Sequence, residues 1–313
     1  MHGIINIYKE QGFTSFDVVA KLRGITHVRK IGHTGTLDPD AEGVLPVCIG
    51  NATALCDMLT DKTKEYETVM RLGITTDTQD ITGTVVEEKD VNLSEADVIS
   101  CKDKFTGDIE QIPPMYSAIK VDGKKLYELA RQGKTIERRP RPVTIHSIEI
   151  LSTDLPRVRM RISCSKGTYI RTLCHDMGEA LGCGACMESL LRTRSGQFRI
   201  EDAVKLSTVQ EWADEGTLES HLKSVEDMFA DCGEIHVSPG EDKLLHNGNT
   251  LRRHGDGSSV FMSAGEEPGD ERKRRQKNRP RVFRVYDSRG IFYGVYEYDP
   301  GQKIYKPYKM FIP

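Results

Sequence analysis

Residues Lys30–Gly50, KIGHTGTLDPDAEGVLPVCIG, decide the fold of this 313-residue chain because they cannot form a regular helix. Pro39 and Pro46 each remove a backbone donor and would clash with the preceding turn. The glycines of the stretch permit backbone angles that other residues avoid. The pattern predicts a loop that ends in a buried strand over Val44–Ile49, with Asp38 at the centre of the loop.

Two simpler interpretations of Asp38 compete with a catalytic one. The acidic residues at 38, 40 and 42 follow the opening spacing of an EF-hand loop, but position twelve would have to be Glu and is Ile49. We therefore reject a calcium site. An Asp before Pro commonly caps a turn through its own backbone. The apolar flanks and the glycines instead favour a partly desolvated carboxylate with room for a large ligand.

The run GHTGTLDPDAEGVLPV resembles the signature of TruB-type tRNA pseudouridine synthases. In that family the Asp of the G-x-LD-x-x-A-x-G motif is catalytic, which implies this role for Asp38. The matching His contacts the RNA loop, which implies a substrate contact for His33, although a loop His is more often a surface or turn residue. RLGITTDTQDITG and the residues before it resemble the second motif. Its Tyr stacks on the target base, and the role falls on Tyr66, otherwise a core aromatic.

The segment SKGTYIRTL resembles the third motif of the same family. It implies that Arg171 forms an ion pair with the catalytic carboxylate and that Tyr169 supports the site. The alternative for Arg171 is a surface helix cation. A partly buried carboxylate needs a hydrogen-bonded counter-charge, and the planar fork of Arg can hold both oxygens. Leu190 corresponds to the Leu that lines the base pocket, a role that overlaps with that of a core leucine.

Periodicity and capping patterns predict the elements around this loop. Alternating residues predict a strand over Lys64–Gly73. Thr14 with Asp17, and Ser94 with Asp97, have capping-box spacing and predict helix starts. Further predictions are strands at Gly3–Tyr8, Val143–Leu151 and Arg157–Ser165, and helices at Ala52–Leu59, Ser94–Phe105, Gly123–Gly133 and Thr208–Asp214 and from the Tyr169 region to Leu181.

The resemblance implies an α+β fold with two domains. Residues 1–232 would form a pseudouridine synthase-type catalytic domain, with a central mixed or antiparallel β-sheet flanked by helices. A thumb-like segment at about 120–145 would grip RNA, with Lys124 and Lys125 on a helix and Arg138 and Arg139 in a basic loop.

Residues 233–313 change in character. Short segments separated by turns recur there at Glu234–Val237, Leu244–Thr250, Val282–Asp287 and Ile291–Tyr298, and the last two predict a hairpin. This spacing favours a small β-barrel that resembles the PUA-like domain of the family, an RNA-binding domain. A polar, basic insertion at about 255–280 has the composition of a disordered segment. We expect a mobile loop with some phosphate contact there.

Composition limits the compartment and the partners. A net charge of −3 does not by itself indicate a nucleic-acid binder, so basic clusters would have to be local. There is no apolar run of membrane-spanning length and no signal-peptide pattern, which predicts a cytoplasmic protein without membrane contact. The CxxC pair Cys183–Cys186 has no second pair at zinc-finger spacing. Because cytosolic thiols stay reduced, we expect a helix end there and no metal site.

The predicted function is a tRNA pseudouridine synthase acting on uridine 55 in the T loop of the T arm. Its reaction needs no cofactor, and the sequence holds no Walker loop and no dinucleotide fingerprint. No obligate protein partner is expected. The alternatives are a non-catalytic RNA-binding or tRNA-folding protein, a glycosidase with two carboxylates, and the guide-RNA-dependent relative of the family. A pure RNA binder has no need of a buried ion pair between Asp38 and Arg171.

Overall fold

The computed structural model describes residues 1–117, 119–121, 123–130, 132–252 and 282–312. The insertion at 255–280 lies outside the described residues. In chain order the strands are β1 (Gly3–Lys9), β2 (Ile31–His33), β3 (Glu42–Ile49), β4 (Lys64–Leu72), β5 (Ile74–Thr76), β6 (Val85–Glu88), β7 (Gly107–Gln111), β8 (Lys120–Val121), β9 (Lys124–Lys125), β10 (Arg141–Asp154), β11 (Arg157–Cys164), β12 (Ala185–Ser195), β13 (Phe198–Arg199), β14 (Gly233–His236), β15 (Leu251–Arg252), β16 (Val282–Tyr286), β17 (Phe292–Asp299) and β18 (Ile304–Met310). The α-helices are α1 (Ser15–Thr26), α2 (Cys56–Thr60), α3 (Glu95–Lys104), α4 (Leu126–Ala130), α5 (Ile170–Leu181), α6 (Leu206–Asp214) and α7 (Asp242–His246).

The larger sheet has the strand order β1-β3-β12-β4-β11-β10-β7, with β2 added to β3 and β13 to β12. Its pairs are antiparallel except β3 with β12, which run parallel where Gly43 lies opposite Arg192. The mixed sheet predicted from sequence is therefore confirmed. Gly43 has φ +101°, and a Cβ there would lie 2.3 Å from the carbonyl oxygen of Arg192. Only glycine at this position allows β3 to pair with β12 here, at the end of the loop that carries Asp38.

Local sequence signals account for the elements next to the loop. Thr14 and Asp17 form both hydrogen bonds of a capping box at the start of α1, and Ser94 and Asp97 do the same for α3. In β4 buried and half-buried residues alternate along the whole strand. Its buried residues face the apolar cluster covered by α3 and α5, because successive side chains of a strand point to opposite faces.

The β1–β3 part of the sheet is buried on both faces. Ile5, Ile7 and Leu45 pack under α1 and α6 on one face. Ile4 and Val44 pack on the other, together with Val295 of β17 and Phe311, which follows β18, among other apolar residues. The C-terminal β-strands therefore share an apolar core with the first strand of the chain, which holds the backbone on either side of the Asp38 loop in place.

The C-terminal region contains a second sheet, with the order β14-β16-β17-β18-β15. It is a curled half-barrel in keeping with a PUA-like domain, and the α+β fold class is confirmed. The hairpin of β16 and β17 is present as predicted. The segment Leu244–Thr250 is not a strand, because Leu244 and Leu245 lie in α7. Glu241 precedes this helix, and its carboxylate accepts a hydrogen bond from the Ser238 hydroxyl.

Within the described part of the chain, no helix combines the length and the apolarity that a membrane span needs.

Candidate functional site

The loop that carries Asp38 is held by the start of α1 and by β1. The Ser15 hydroxyl accepts a hydrogen bond from the amide of Leu37 at 2.9 Å and donates to the Leu37 carbonyl at 3.2 Å. On the other side of Asp38, the carbonyl of Pro39 accepts from the amide of Gly12 and from the ammonium group of Lys9. Asp38 is therefore fixed by its two neighbours, while its own side chain remains 48% exposed.

The Asp38 carboxylate faces Arg171. The distance from Asp38 Oδ2 to Arg171 Nη2 is 3.4 Å, and the Arg171 side chain is only 7% exposed. The simple turn interpretation does not describe this carboxylate, because the turn at Asp38 is closed by its backbone carbonyl, which accepts from the amide of Ala41. The predicted contact between the two charged groups is thus present, although they lie 133 positions apart in the sequence.

Arg171 binds a second carboxylate, which sequence reasoning missed. Its Nη1 lies 3.3 Å from Asp80 Oδ2, and its Nη2 also donates to the carbonyl of Tyr116. The other oxygen of Asp80 accepts from the Thr78 hydroxyl and from both the amide and the hydroxyl of Thr82. Asp80 is thereby anchored, and it in turn orients the guanidinium of Arg171 toward Asp38. The signal was its place in DTQDITG, which is part of the segment that resembles the second motif.

Tyr66 lies on the buried face of β4, in the same apolar cluster as Leu37. Burial raises the pKa of its hydroxyl above the ordinary value, and the positive charge of Arg192 works in the opposite direction. Leu190, on the neighbouring strand β12, is partly buried and packs against the same cluster. The two residues predicted to hold the base therefore lie on adjacent strands next to the loop.

Tyr169 and His33 are the other two residues that were predicted to support or contact the substrate at this site. Tyr169 precedes α5 and exchanges two hydrogen bonds through its backbone with the side-chain amide of Gln111. It fixes the start of the helix that carries Arg171. His33 ends β2 and is half-buried. Burial, followed by the charge of Arg192, lowers the pKa of His33. These effects favour the neutral form of the ring, which offers one donor and one acceptor.

Arg192 is a further residue that sequence reasoning missed. Its side chain is fully buried on β12, next to Tyr66 in the sheet register. Nε donates to the carbonyl of Val44 at 2.6 Å, and Nη2 donates to the carbonyl of Gly35 at 3.1 Å. These carbonyls lie on either side of the Asp38 loop, so one guanidinium ties the ends of the loop together.

The predicted RNA-gripping segment differs from expectation at Lys124 and Lys125. These residues form β9, which pairs with β8, and the helix begins only at Leu126. Gly123, with φ +81°, makes the turn that returns the chain into this two-stranded pairing. Lys124 is exposed, whereas the side chain of Lys125 lies outside the described part of the structure.

The two arginines of the basic loop differ from each other. Arg139 is exposed, and Arg138 is half-buried and donates to the carbonyl of Pro113 at 3.1 Å. Arg138 therefore shapes the base of the segment, and Arg139 is the one free to reach a phosphate.

The CxxC pair lies after the end of α5, and the described residues place one cavity away from this site. Cys183 lies just after Gly182, the cap of α5, and Cys186 lies in β12, so the CxxC pair follows a helix end, as predicted. A cavity of about 590 Å³ lies at the far end of β4, between the β5–β6 hairpin and the turn after β10. Its lining includes none of the predicted site residues.

Comparison with solved structures assigns the fold class. A chain in the crystal structure of a Cbf5–Nop10–Gar1 complex matches with a TM-score of 0.70 and 25% identity, over 99% of this chain and 85% of that chain. A chain in the structure of an H/ACA RNP bound to a substrate RNA containing 2′-deoxyuridine matches with a TM-score of 0.69 and 24% identity, with the same coverage. The fold is that of the pseudouridine synthases.

Sequence comparison assigns the family. Residues 23–170 match the N-terminal domain of TruB family pseudouridylate synthase, and residues 171–230 match the tRNA pseudouridylate synthase B C-terminal domain. The tRNA pseudouridine synthase B of Lachnoclostridium phytofermentans is 52% identical over the full length of both chains. That of Clostridium novyi is 42% identical over 94% of this chain and 95% of its own. This chain therefore belongs to the TruB family of pseudouridylate synthases.

Proposed function

We propose that the chain isomerises uridine to pseudouridine in tRNA, at position 55 of the T loop. The relatives called tRNA pseudouridine synthase B, 52% and 42% identical over nearly the whole chain, support the reaction and the substrate. The resemblance of the Asp38 motif supports the position within tRNA. The observation that carries the proposal is the half-exposed Asp38 carboxylate, ion-paired with the nearly buried Arg171.

The reaction breaks the bond between N1 of uracil and C1′ of ribose and makes a bond between C5 and C1′. C5 loses a proton and N1 gains one, so no electrons are transferred overall and no cofactor is needed. A carboxylate can attack C1′, attack the base, or remove a proton from the sugar. Asp38 is suited to each of these steps because half of its surface faces the space where a nucleotide would enter.

The neighbouring residues supply a place for a base that has left its stack. In this proposal Tyr66 stacks on the flipped uracil and Leu190 forms the apolar wall. When the nucleotide covers Asp38 and excludes water, the attraction between Asp38 and Arg171 strengthens because the local dielectric falls. Arg171 then keeps the carboxylate oriented, while Asp80 keeps Arg171 in place. His33 and Tyr169 would contact or support the substrate from the loop and from the start of α5.

The rest of the RNA would be held outside this pocket. We assign residues 1–232 to the catalytic domain and residues 233–313 to a PUA-like RNA-binding domain. Lys124 and Arg139 of the 120–145 segment are exposed and would contact phosphates of the T arm. Lys125 and Arg138 belong to the same segment, with Arg138 acting mainly through Pro113. A tRNA substrate implies work in the cytoplasm and requires no partner protein.

The proposal is tested with Asp38→Asn, and Asp40→Asn serves as the matched control. Asp40 is an exposed carboxylate two positions away in the same loop, and it has no ion pair among the described residues. We expect Asp38→Asn to abolish tritium release from tRNA labelled at C5 of uridine, with tRNA binding nearly unchanged. Asp40→Asn should keep most of the activity.

The same assay separates the alternatives. Tritium release by Asp38→Asn at the wild-type rate would remove Asp38 from the chemistry. A wild-type protein that binds tRNA without releasing tritium would be an RNA-binding or tRNA-folding protein instead. A tRNA in which uridine 55 is replaced by cytidine should release no tritium, and continued release from it would place the target elsewhere. A T-arm stem-loop carrying 5-fluorouridine at the target should give a stable complex or an altered product.

A further inference from the structure

The exposed face of α1 carries an aromatic ring beside cations that have no acidic partner in the described residues. Phe16 is 64% exposed. The guanidinium of Arg23, two turns further along α1, lies 5.9 Å from the centre of the Phe16 ring. Arg23 Nε donates to the carbonyl of Arg29 at 3.1 Å, and Lys30 follows directly. Arg23, Arg29 and Lys30 are all exposed. We call these four residues the α1 surface.

The nearest acidic residue on α1 does not neutralise this surface. Asp17 is the capping-box residue of the helix, and its Oδ2 accepts from the amide and the hydroxyl of Thr14. Asp17 interacts electrostatically with Lys21, whose ammonium group lies 5.3 Å from the centre of the Phe13 ring. Among the described residues, Arg23, Arg29 and Lys30 therefore remain without an acidic partner beside the exposed Phe16 ring, although the whole chain has a net charge of −3.

The α1 surface is connected directly to the loop that carries Asp38. Ser15, the residue before Phe16, holds both the amide and the carbonyl of Leu37, the residue before Asp38. At its other end the surface continues from Lys30 into β2, which ends at His33. The start of α1 therefore contacts the Asp38 loop through Ser15 and Leu37, which are the sequence neighbours of Phe16 and Asp38.

We propose that the α1 surface binds an unpaired nucleotide of the RNA next to the target uridine, with Phe16 stacked on the base and the three cations on the phosphates. This inference rests on the proposed function. Aromatic stacking suits any base because every base has a π-face, and Arg beside the ring adds a cation–π contribution. Phe has no hydrogen-bonding group, so the contact holds a nucleotide without selecting its identity.

The chemistry of the α1 surface favours RNA over a protein partner. A stable protein interface buries on the order of 800 Å² per partner around an apolar centre. Here the apolar part is Phe16, and Arg23, Arg29 and Lys30 extend from it along the helix and the turn that follows. Cations aligned beside one exposed ring match the alternation of phosphates and bases along a single strand.

The test measures binding of a fluorescent T-arm stem-loop RNA to the full chain. Phe16→Ala should weaken binding about tenfold, within the range found when a base–aromatic stack is removed. Phe16→Trp should restore it to within about twofold, because the π-face is kept. Ile99→Ala is the control: Ile99 is 42% exposed on α3, and its truncation should leave binding unchanged. The double change Arg23→Gln and Arg29→Gln should reduce the slope of log K against log salt concentration by about two.

Each outcome of these binding measurements either supports or overturns the proposed nucleotide contact at Phe16. Unchanged RNA binding by Phe16→Ala would overturn the inference, and so would a tenfold loss that Phe16→Trp fails to restore, because stacking would then not be the cause. Self-association that Phe16→Ala abolishes, with RNA binding unaffected, would assign the α1 surface to a second copy of the chain. The proposed function is judged separately by tritium release from the wild-type protein, so a failure of one is distinguishable from a failure of the other.

Discussion

Both faces of the sheet at β4 carry ion pairs between arginines and carboxylates, but the arginines are exposed on one face and nearly buried on the other. On the outer face, Glu67 accepts from Arg159 at 2.6 Å and from Arg161 at 2.9 Å, and both arginines are about half exposed. Burial alone would raise the pKa of Glu67, but hydrogen bonds from Arg161 and Arg159 lower it. On the inner side, the nearly buried Arg171 meets Asp38 and Asp80 at longer distances, 3.4 and 3.3 Å.

This difference shows that the distance between two charged groups does not by itself determine how much their ion pair contributes to stability. The outer pairs are closer, but water screens them and long side chains lose rotamer freedom in forming them. Arg171 is nearly buried, so the loss of one of its partners leaves an uncompensated charge in a region of low dielectric constant. Arg157, Arg159 and Arg161 of β11 are therefore paired with acidic residues on the outer face, and the pair of Asp38 and Arg171 lies on the other side of the sheet.

The largest expected effect comes from comparing Arg171→Met with Arg161→Met. Arg171→Met leaves two carboxylates without their shared cation, and we expect tritium release to fall by about a hundredfold or more, as when a preorganised donor is removed. The free energy of unfolding should fall by about 3 kcal/mol. Arg161→Met should change it by less than about 1 kcal/mol and leave activity intact. Equal losses in the two variants would contradict the contrast between the faces.

An intermediate effect is expected on strand β12, where Arg192 is buried and Arg194 points to the outer face beside Glu65. Arg192→Met leaves the carbonyls of Gly35 and Val44 without their donor, and we expect a loss of about 2–4 kcal/mol in urea unfolding. Arg194→Met, whose pair with Glu65 spans 3.7 Å and is partly exposed, should lose less than about 1 kcal/mol. If Arg194→Met proved the more damaging change, Arg192 would not be what ties the loop ends.

The last comparison is a dependence on pH and concerns Lys9, whose ammonium group is buried against the Pro39 carbonyl. Burial lowers its pKa from 10.5 to about 8, against the opposing attraction of Glu42, Asp40 and Asp38. Between these two values the unfolded chain binds more protons than the folded one, so the contribution of Lys9 to stability rises with pH across that window.

The measurement is the difference in unfolding free energy between wild type and Lys9→Met. It should rise in favour of wild type from about pH 8 and level off near pH 10.5. The same substitution at the exposed Lys243 should give a difference without this slope. A Lys9 difference that stays constant across the window would show that the ammonium group is not desolvated in the folded protein.

The sequence by itself determined the elements and residues whose signals are local or lie in a long motif. Capping boxes at Thr14 and Ser94 started helices where predicted, because both partners lie three positions apart. Alternation defined β4, because a strand exposes its two faces in turn. The resemblance of the loop and of SKGTYIRTL picked out Asp38 and Arg171, and their contact was expected because a buried carboxylate needs a counter-charge.

Only the tertiary structure decided which of several similar residues face the site. Asp80 meets Arg171 across 91 positions, and Arg192 meets Gly35 across 157. Nothing in their neighbours separates Arg192 from Arg194, since burial of a cation depends on which strands lie beside it. Lys124 and Lys125 form a strand and not the predicted helix, because their backbone pairs with β8. The order of strands in the sheet brings distant segments together, and the local alternation of residues along the sequence does not indicate that order.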